Sequence, residues 1–151
     1  MCAEMGTNMS KLITVHYDDK PIYNITIEKD YSKLASVIKE QVEAEHKVCV
    51  VSDSSVASHY LDAVMDIASE CVSKVTSFVF PAGEESKTLN VVEDLYEHLI
   101  KEKFDRKDIL LALGGGVVGD LTGFAASTYL RGIKVIQLPT TLLAMVDSSV
   151  G

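Results

Sequence analysis

An apolar run that passes through three glycines into a helical segment is the feature that most constrains the fold. The chain reads Leu-Leu-Ala-Leu-Gly-Gly-Gly-Val-Val-Gly-Asp over residues 110–120. Because glycine has no Cβ, such a turn lets backbone N–H groups approach a phosphate closely. Gly114–Gly119 also satisfies the dinucleotide-binding pattern G-x-G-x-x-G, a weak match that the flanking strand and helix strengthen. The turn predicts a nucleotide phosphate site or, alternatively, only close packing of a helix on a strand.

Strand-like and helix-like segments alternate after residue 30. Strands are predicted over residues 47–51, 75–80, 109–113 and 134–138. Helices are predicted over 31–45, 56–68, 89–99 and 142–146, with a further helical segment directly after the three glycines. The strands are continuously apolar, which is typical of parallel strands buried on both faces. We therefore predict an α/β fold with a Rossmann-like parallel sheet and flanking helices.

The region before this alternation has a different character. Two short runs rich in β-formers, residues 12–17 and 22–27, predict a hairpin. Residues 1–10 lack periodicity and are interpreted as a loose leader. The remainder, residues 11–151, is interpreted as one Rossmann-like domain, because its length suits a single domain.

Composition excludes several classes of protein. The net charge is −8. Because sequence-independent binding of nucleic acid depends on positively charged side chains that contact phosphates, we do not expect it here. The four histidines show no metal-ligand spacing, and we expect no metal site within this chain. The three cysteines form no C-x-x-C pair and no signal-like segment is apparent, which favours a cytoplasmic protein. The charge and glycines in residues 109–128 argue against a membrane helix.

Ligands bind beyond the carboxyl ends of the strands in sheets of this kind, so the loops that follow the four strands should converge. The first strand ends in Ser52-Asp53-Ser54-Ser55, a run that can cap the next helix, and Asp53 suits either that N-cap or a ribose hydroxyl. After the second strand, Glu84 is either a hydroxyl acceptor or a favourable acid of the first helical turn. Lys87 is expected to open the next helix, where lysine is disfavoured by the dipole, and hence to face an anion.

The last two strands contribute further candidates. Asp120 is placed in the first turn after the glycines, where it would repel a phosphate, so it should face hydroxyls or an amide. Arg131 offers a planar fork for phosphate or carboxylate, or is a surface residue at a helix end. Thr140 and Thr141 suit ligand hydroxyl contacts, with Thr140 alternatively capping the helix over residues 142–146. Gly119, Gly123 and Ala126 share a helix face and predict a seam of small residues that packs on the sheet.

Four segments together resemble the 3-dehydroquinate synthase family. They are Pro81-x-Gly-Glu-x-x-Lys87, the run Gly114-Gly-Gly-Val-Val-Gly-Asp-Leu-Thr-Gly-Phe-Ala-Ala126, Tyr129-x-Arg-Gly132, and Gln137-x-Pro-Thr-Thr-Leu-Leu-x-x-Val-Asp-Ser-Ser-Val-Gly151. The resemblance is dense after Pro81 and weak before Lys47. It implies an NAD-dependent conversion of 3-deoxy-D-arabino-heptulosonate 7-phosphate to 3-dehydroquinate and phosphate in the shikimate pathway, with NAD regenerated at the same site.

The resemblance also implies site residues and partners. The positions that would contact NAD are Asp53, Glu84, Lys87, Gly115, Gly116, Val117, Asp120, Thr140 and Thr141. Arg131 and Asp147 would contact the sugar-phosphate substrate, with Arg131 acting across the interface of a homodimer. The family continues into a helical domain that holds a divalent metal, zinc or cobalt, and that domain is absent here. We therefore expect this chain alone to have no turnover.

Two alternatives remain open from the sequence. One is a related sugar-phosphate cyclase, such as a 2-deoxy-scyllo-inosose synthase, since these enzymes share much of the pattern. The other is a non-catalytic nucleotide-binding module, for which an acidic, glycine-rich α/β domain is sufficient.

Overall fold

The computed structural model describes residues 10–147. The chain divides into two compact units, one ending at Leu34 and the other beginning at Ala35. The predicted leader lies outside the described residues except for Ser10. Among the described residues, no helix combines the length and the apolar character needed to cross a membrane.

The first unit contains the predicted hairpin. Strand β1 (Lys11–Tyr17) pairs antiparallel with β2 (Lys20–Ile27). The turn residues Asp18 and Asp19 both have positive φ, 48° and 60°. Two such residues in succession form the turn whose twist suits a two-residue hairpin, and aspartate tolerates this conformation.

The second unit is the predicted α/β layer. Its strands are β3 (Lys47–Asp53), β4 (Lys74–Phe80), β5 (Ile109–Gly114) and β6 (Lys134–Pro139). Its helices are α1 (Leu34–Gln41, whose first residue closes the other unit), α2 (Ser54–Ser69), α3 (Leu89–Lys101), α4 (Gly116–Thr128) and α5 (Leu142–Val146). The four strands are parallel in the order β4-β3-β5-β6. This confirms the predicted fold class.

The two central strands of the sheet, β3 and β5, are buried on both faces, as continuous apolar strands require. Every residue of β5 is buried. Cys49 and Val51 of β3 join a cluster with α3 and α4, while Val48 and Val50, which alternate with them toward the other face, are equally buried. Burial raises the pKa of the Cys49 thiol to about 12, so Cys49 is a packing residue and not a nucleophile.

The helix over residues 31–45 is shorter than predicted, because its ends form local turns. The carboxylate of Asp30 accepts the N–H of Ser32 at 2.9 Å, and α1 begins only at Leu34. At the other end α1 stops at Gln41, although the N–H of Val42 still bonds to the carbonyl of Ile38. Polar side chains near their own backbone compete with helical hydrogen bonds in this way.

Candidate functional site

The strand order reverses between β3 and β5, and we call the region beyond the carboxyl ends of these two strands the crevice. The chain runs from β3 to β4 on one side and then crosses to β5 on the other side. The β3–β5 pairing ends at Ser52 and Leu113; beyond it Asp53 pairs with Phe80 of β4 and Gly114 pairs with Pro139 of β6. Such a topological switch point is where open α/β sheets bind ligands.

The glycine turn forms one wall of this crevice. Gly115 is the N-cap of α4, and no side chain in the described part of the chain caps this helix. A Cβ added at Gly114 would lie 2.4 Å from Cγ2 of Val118, so only glycine fits here. The N–H groups of the first turn and the positive end of the helix dipole are therefore available to an anion.

Asp53 forms the opposite wall, and its helix-capping interpretation is confirmed. Its Oδ1 accepts the N–H of Ser55 at 2.8 Å and the N–H of Val56 at 2.9 Å. The prediction that Ser52 belongs to the cap is wrong, because β3 continues through Ser52 to Asp53. Both capping bonds use one carboxylate oxygen, so the predicted ribose contact through the other stays a prediction.

The loop after β4 is shaped by Gly83 and Ser86. Gly83 has φ 125°, a backbone conformation that a side chain disfavours. Ser86 is buried and its hydroxyl donates to the carbonyl of Pro81 at 2.6 Å. The N–H of Ala82 donates to the hydroxyl of Ser54 at 3.0 Å, which ties this loop to the start of α2. The sequence places Ser54 in the capping run after β3 but does not predict this contact with the loop.

Lys87 and Asp120 form an ion pair beside the crevice. Lys87 Nζ lies 2.6 Å from Asp120 Oδ2 and 3.8 Å from Glu84 Oε1. The hydrogen bond with Asp120 raises the pKa of Lys87 above its ordinary value, and the charges of Asp120 and Glu84 add to the shift. Lys87 thus faces an anion, as predicted, but that anion is Asp120.

Two positional predictions for this pair are wrong. Lys87 does not open a helix: it precedes Thr88, whose hydroxyl caps α3 by accepting the N–H of Val91 at 3.4 Å. Asp120 is the fifth residue of α4 and lies beyond its first turn. An apolar groove of about 350 Å³ runs beside the pair, with Leu89 and Phe124 among its walls.

The helix cap after β6 is formed by a different threonine from the predicted one. Thr141, and not Thr140, caps α5, since its hydroxyl accepts the N–H of Ala144 at 3.2 Å. Thr140 donates its N–H to the carbonyl of Gly114 at 2.9 Å, which places it beside the glycine turn. Its Oγ1 is buried and has no hydrogen-bond partner among the described residues. A buried hydroxyl without a partner is costly, and a bound ligand would supply one.

Most of the predicted site residues lie at the carboxyl edge of the sheet. Gly116 is the first residue of α4, and Val117 packs its side chain against the core, leaving its N–H for a ligand. Asp147 is exposed directly after α5.

Arg131 lies apart from this group, exposed beyond the far end of α4. The 13 residues of α4 span about 20 Å at a rise of 1.5 Å per residue. Within one chain, Arg131 therefore lies at the opposite edge of the sheet from the glycine turn.

The predicted small-residue seam is only partly present. Gly119 and Ala126 are buried, but no atom of the described residues lies within 4 Å of a Cβ built at Gly123. The helix is close to the sheet near its start, where Gly114 meets Val118, and Gly123 is not pressed against it.

Comparison with known proteins agrees with this arrangement. The profile of the 3-dehydroquinate synthase N-terminal domain matches residues 77–151. The 3-dehydroquinate synthase of Acetivibrio thermocellus is 44% identical over 139 residues, which is 92% of this chain and 38% of that protein. The enzyme of Crocosphaera subtropica is 43% identical over 145 residues, 95% of this chain and 39% of that protein.

The chain belongs to the 3-dehydroquinate synthase family. It corresponds to the N-terminal domain and spans less than two fifths of the length of these relatives.

Solved structures of similar fold are sugar-phosphate cyclases. A 2-deoxy-scyllo-inosose synthase complexed with carbaglucose-6-phosphate, NAD⁺ and Co²⁺ has a TM-score of 0.76 and 29% identity, covering 92% of this chain and 36% of that chain. A 2-epi-5-epi-valiolone synthase from Streptomyces hygroscopicus with NAD⁺ and Zn²⁺ has a TM-score of 0.66 and 25% identity, covering 83% of this chain and 37% of that chain.

The residues of this 3-dehydroquinate synthase domain fit NAD better than they fit a metal. The uncapped start of α4 and the unpartnered Thr140 hydroxyl both lie at the crevice. Within residues 10–147, the groups of three possible metal ligands all include His46, which lies at the amino edge of the sheet. One of them uses Asp108, whose oxygens already accept the backbone N–H groups of Lys47 and Asp105. The described residues place no such group at the crevice.

Proposed function

We propose that the crevice between β3 and β5 binds NAD in a 3-dehydroquinate synthase, an enzyme that converts 3-deoxy-D-arabino-heptulosonate 7-phosphate to 3-dehydroquinate and phosphate. The observation that carries this proposal is the uncapped N-terminus of α4 at the switch point of the sheet. A glycine turn at such a helix start is suited to a pyrophosphate. NAD, when bound, supplies a hydride acceptor that is reduced and reoxidised within one turnover.

Different residues around the crevice bind different parts of NAD. The backbone N–H groups of Gly115, Gly116 and Val117 bind the pyrophosphate. Asp53 and Glu84 accept hydrogen bonds from ribose hydroxyls, a role open to the Asp53 oxygen that the cap leaves unused. The hydroxyls of Thr140 and Thr141 line the floor next to the glycine turn.

The ion pair with Lys87 allows the Asp120 carboxylate to lie close to a bound phosphate. An isolated carboxylate near the start of α4 would repel a phosphate bound there. Lys87 neutralises Asp120 at 2.6 Å, so that both groups stand beside the crevice without a net charge. Asp120 can then accept a hydrogen bond from a ribose or amide group, while Lys87 keeps further N–H donors for an anion.

Substrate binding requires more than one described chain. Asp147 is at the carboxyl edge and contacts substrate from its own chain, whereas Arg131 lies at the opposite edge and reaches substrate from the second copy of a homodimer. The divalent metal is held by the part of the family's length that this chain does not span. A metal held there would lower the pKa of the substrate hydroxyl on the carbon that gives up hydride.

Calorimetric titration with NAD tests the cofactor site. We expect the chain to bind NAD and the variant Lys87→Ala/Asp120→Ala to lose most of that binding. The matched control is Lys74→Ala/Glu102→Ala, which removes an ion pair of similar length, 2.5 Å, at the other edge of the sheet. Absence of NAD binding by a folded chain, or equal losses in both variants, would refute the assignment.

Turnover is tested in a chimera that joins residues 1–151 to the remaining length of the Acetivibrio thermocellus relative. We expect no turnover from the 151-residue chain and 3-dehydroquinate formation by the chimera.

Mixing Arg131→Ala and Lys87→Ala chimeras should restore about a quarter of the activity, because half of the dimers are mixed and each contains one intact composite site. No recovery in verified mixed dimers would place Arg131 in its own chain's site.

A second candidate function is another sugar-phosphate cyclisation. It is favoured by the likeness to 2-deoxy-scyllo-inosose synthase, at a TM-score of 0.76. The chimera cannot decide between the two, since its second half comes from a 3-dehydroquinate synthase. The discriminating assay is the substrate preference of the full-length protein that contains this chain.

A further inference from the structure

We propose that Ser52 is a positioning residue that sets the width of the crevice and thereby the affinity for the dinucleotide. The inference rests on the proposed NAD site and assigns a part in it to a residue that contacts no ligand. Ser52 lies in β3 immediately before Asp53, at the last rung of the β3–β5 pairing.

The side chain of Ser52 bridges the two strands on which the site is built. It is fully buried, and its hydroxyl donates to the carbonyl of Leu113 in β5 at 2.8 Å. The residues that follow, Asp53 and Gly114, no longer pair with each other but with outer strands. The Ser52 hydroxyl therefore adds a side-chain hydrogen bond at the last pair of the β3–β5 ladder, at the base of the crevice where its two walls separate.

Packing alone does not account for a hydroxyl at this position. The four preceding residues, 48–51, are apolar and fully buried, and an apolar side chain would continue that pattern. A buried hydroxyl is tolerated only when it is hydrogen-bonded, and its net contribution to stability is then modest. What the hydroxyl adds is a directional bond that holds the end of β5, and with it the glycine turn, against the end of β3.

The consequence is a fixed spacing between the two helix N-termini that face NAD. Asp53 caps α2 directly after Ser52, and Gly115 caps α4 two residues after Leu113. Loss of the bridge lets the β5–α4 turn shift relative to Asp53. Part of the binding free energy of the dinucleotide is then used to order this turn, so the affinity falls, because preorganised sites bind more tightly than loose ones.

The test compares Ser52→Ala with Ser52→Thr and with a control, Ser73→Ala. Ser73 also donates its hydroxyl to backbone carbonyls, those of Glu45 and His46 at 2.9 Å, but at the amino edge of the sheet. Two quantities are measured in each folded variant: the Kd for NAD by calorimetry, and amide hydrogen exchange at residues 114–119. The Gly119 amide reports on the turn directly, since it bonds to the carbonyl of Gly115 at 3.1 Å.

We expect Ser52→Ala to weaken NAD binding about three- to tenfold, the size of one lost hydrogen bond, and to speed exchange in the turn. Ser52→Thr keeps the hydroxyl and should restore both, while Ser73→Ala should change neither, whatever its melting temperature. Parent-like affinity and exchange in Ser52→Ala would overturn the inference. If the parent chain binds no NAD, the proposed function fails, and unchanged exchange in Ser52→Ala would separately refute the positioning role.

Discussion

The same substitution, glycine to alanine, is expected to have opposite effects at two positions of the glycine-rich segment. At Gly114 the added Cβ would meet Cγ2 of Val118 at 2.4 Å and its Cβ at 2.6 Å. Valine is stiff in a helix, so the clash must be relieved by moving the start of α4. Overpacking of this kind costs about 1–3 kcal/mol. At Gly123, in the interior of α4, the described residues leave the space empty, and alanine should stabilise the helix by about 0.5–1 kcal/mol.

Urea unfolding of the two variants beside the parent measures this difference. We expect Gly114→Ala and Gly123→Ala to differ by about 1.5–4 kcal/mol, which for a chain of this size is a difference of roughly 3–16 °C in Tm. Gly114→Ala should also weaken NAD binding, since the turn itself moves, while Gly123→Ala should not. A destabilised Gly123→Ala variant would show that α4 is pressed against a neighbour there after all.

Three further outcomes follow from buried or capping polar groups. Asp108→Ala should cost about 3 kcal/mol or more in urea unfolding, because it leaves the N–H groups of Lys47 and Asp105 without their acceptor, and Asp108→Asn should cost less. Burial lowers the pKa of His98, so the unfolded chain takes up a proton first, and stability should fall as the pH drops below about 6.5. The parent should lose more stability than His98→Gln between pH 7.5 and 5.5; equal losses would contradict this. In urea unfolding, Asp53→Ala should lower the free energy of unfolding by about 0.5–2 kcal/mol. Asp53→Ser should lower it much less, because serine also caps helices.

Local patterns were enough to predict most of the fold. Continuous apolar runs separated by helical spacing predicted the parallel sheet, since only burial on both faces explains strands without alternation. The glycine run predicted the strand-to-helix turn after β5. Element ends are harder to predict from local patterns, because a serine after an apolar run suits a helix cap as well as a strand, and Ser52 continues β3.

The parts of the site that sequence reasoning missed depend on contacts between distant residues. Lys87 and Asp120 are 33 residues apart, and nothing in the order of residues shows that their side chains meet. The exchange between Thr140 and Thr141 is a shift of one residue, which capping preference cannot resolve because both are threonine. A polar residue inside an apolar strand was the one available signal for Ser52, and its partner in β5 lies 61 residues away.

Helix α4 explains why the proposed site residues of one chain cannot all contact the same ligand. Its first turn faces the crevice and its last residue precedes the turn that carries Arg131. A straight helix cannot bring its two ends to the same ligand, and this one spans about 20 Å. The proposed NAD contacts at its start and the proposed substrate contact beyond its end are therefore compatible only if they serve different active sites. A dimer that places the end of one α4 near the crevice of the other copy satisfies both, and a monomeric enzyme would have to do without Arg131.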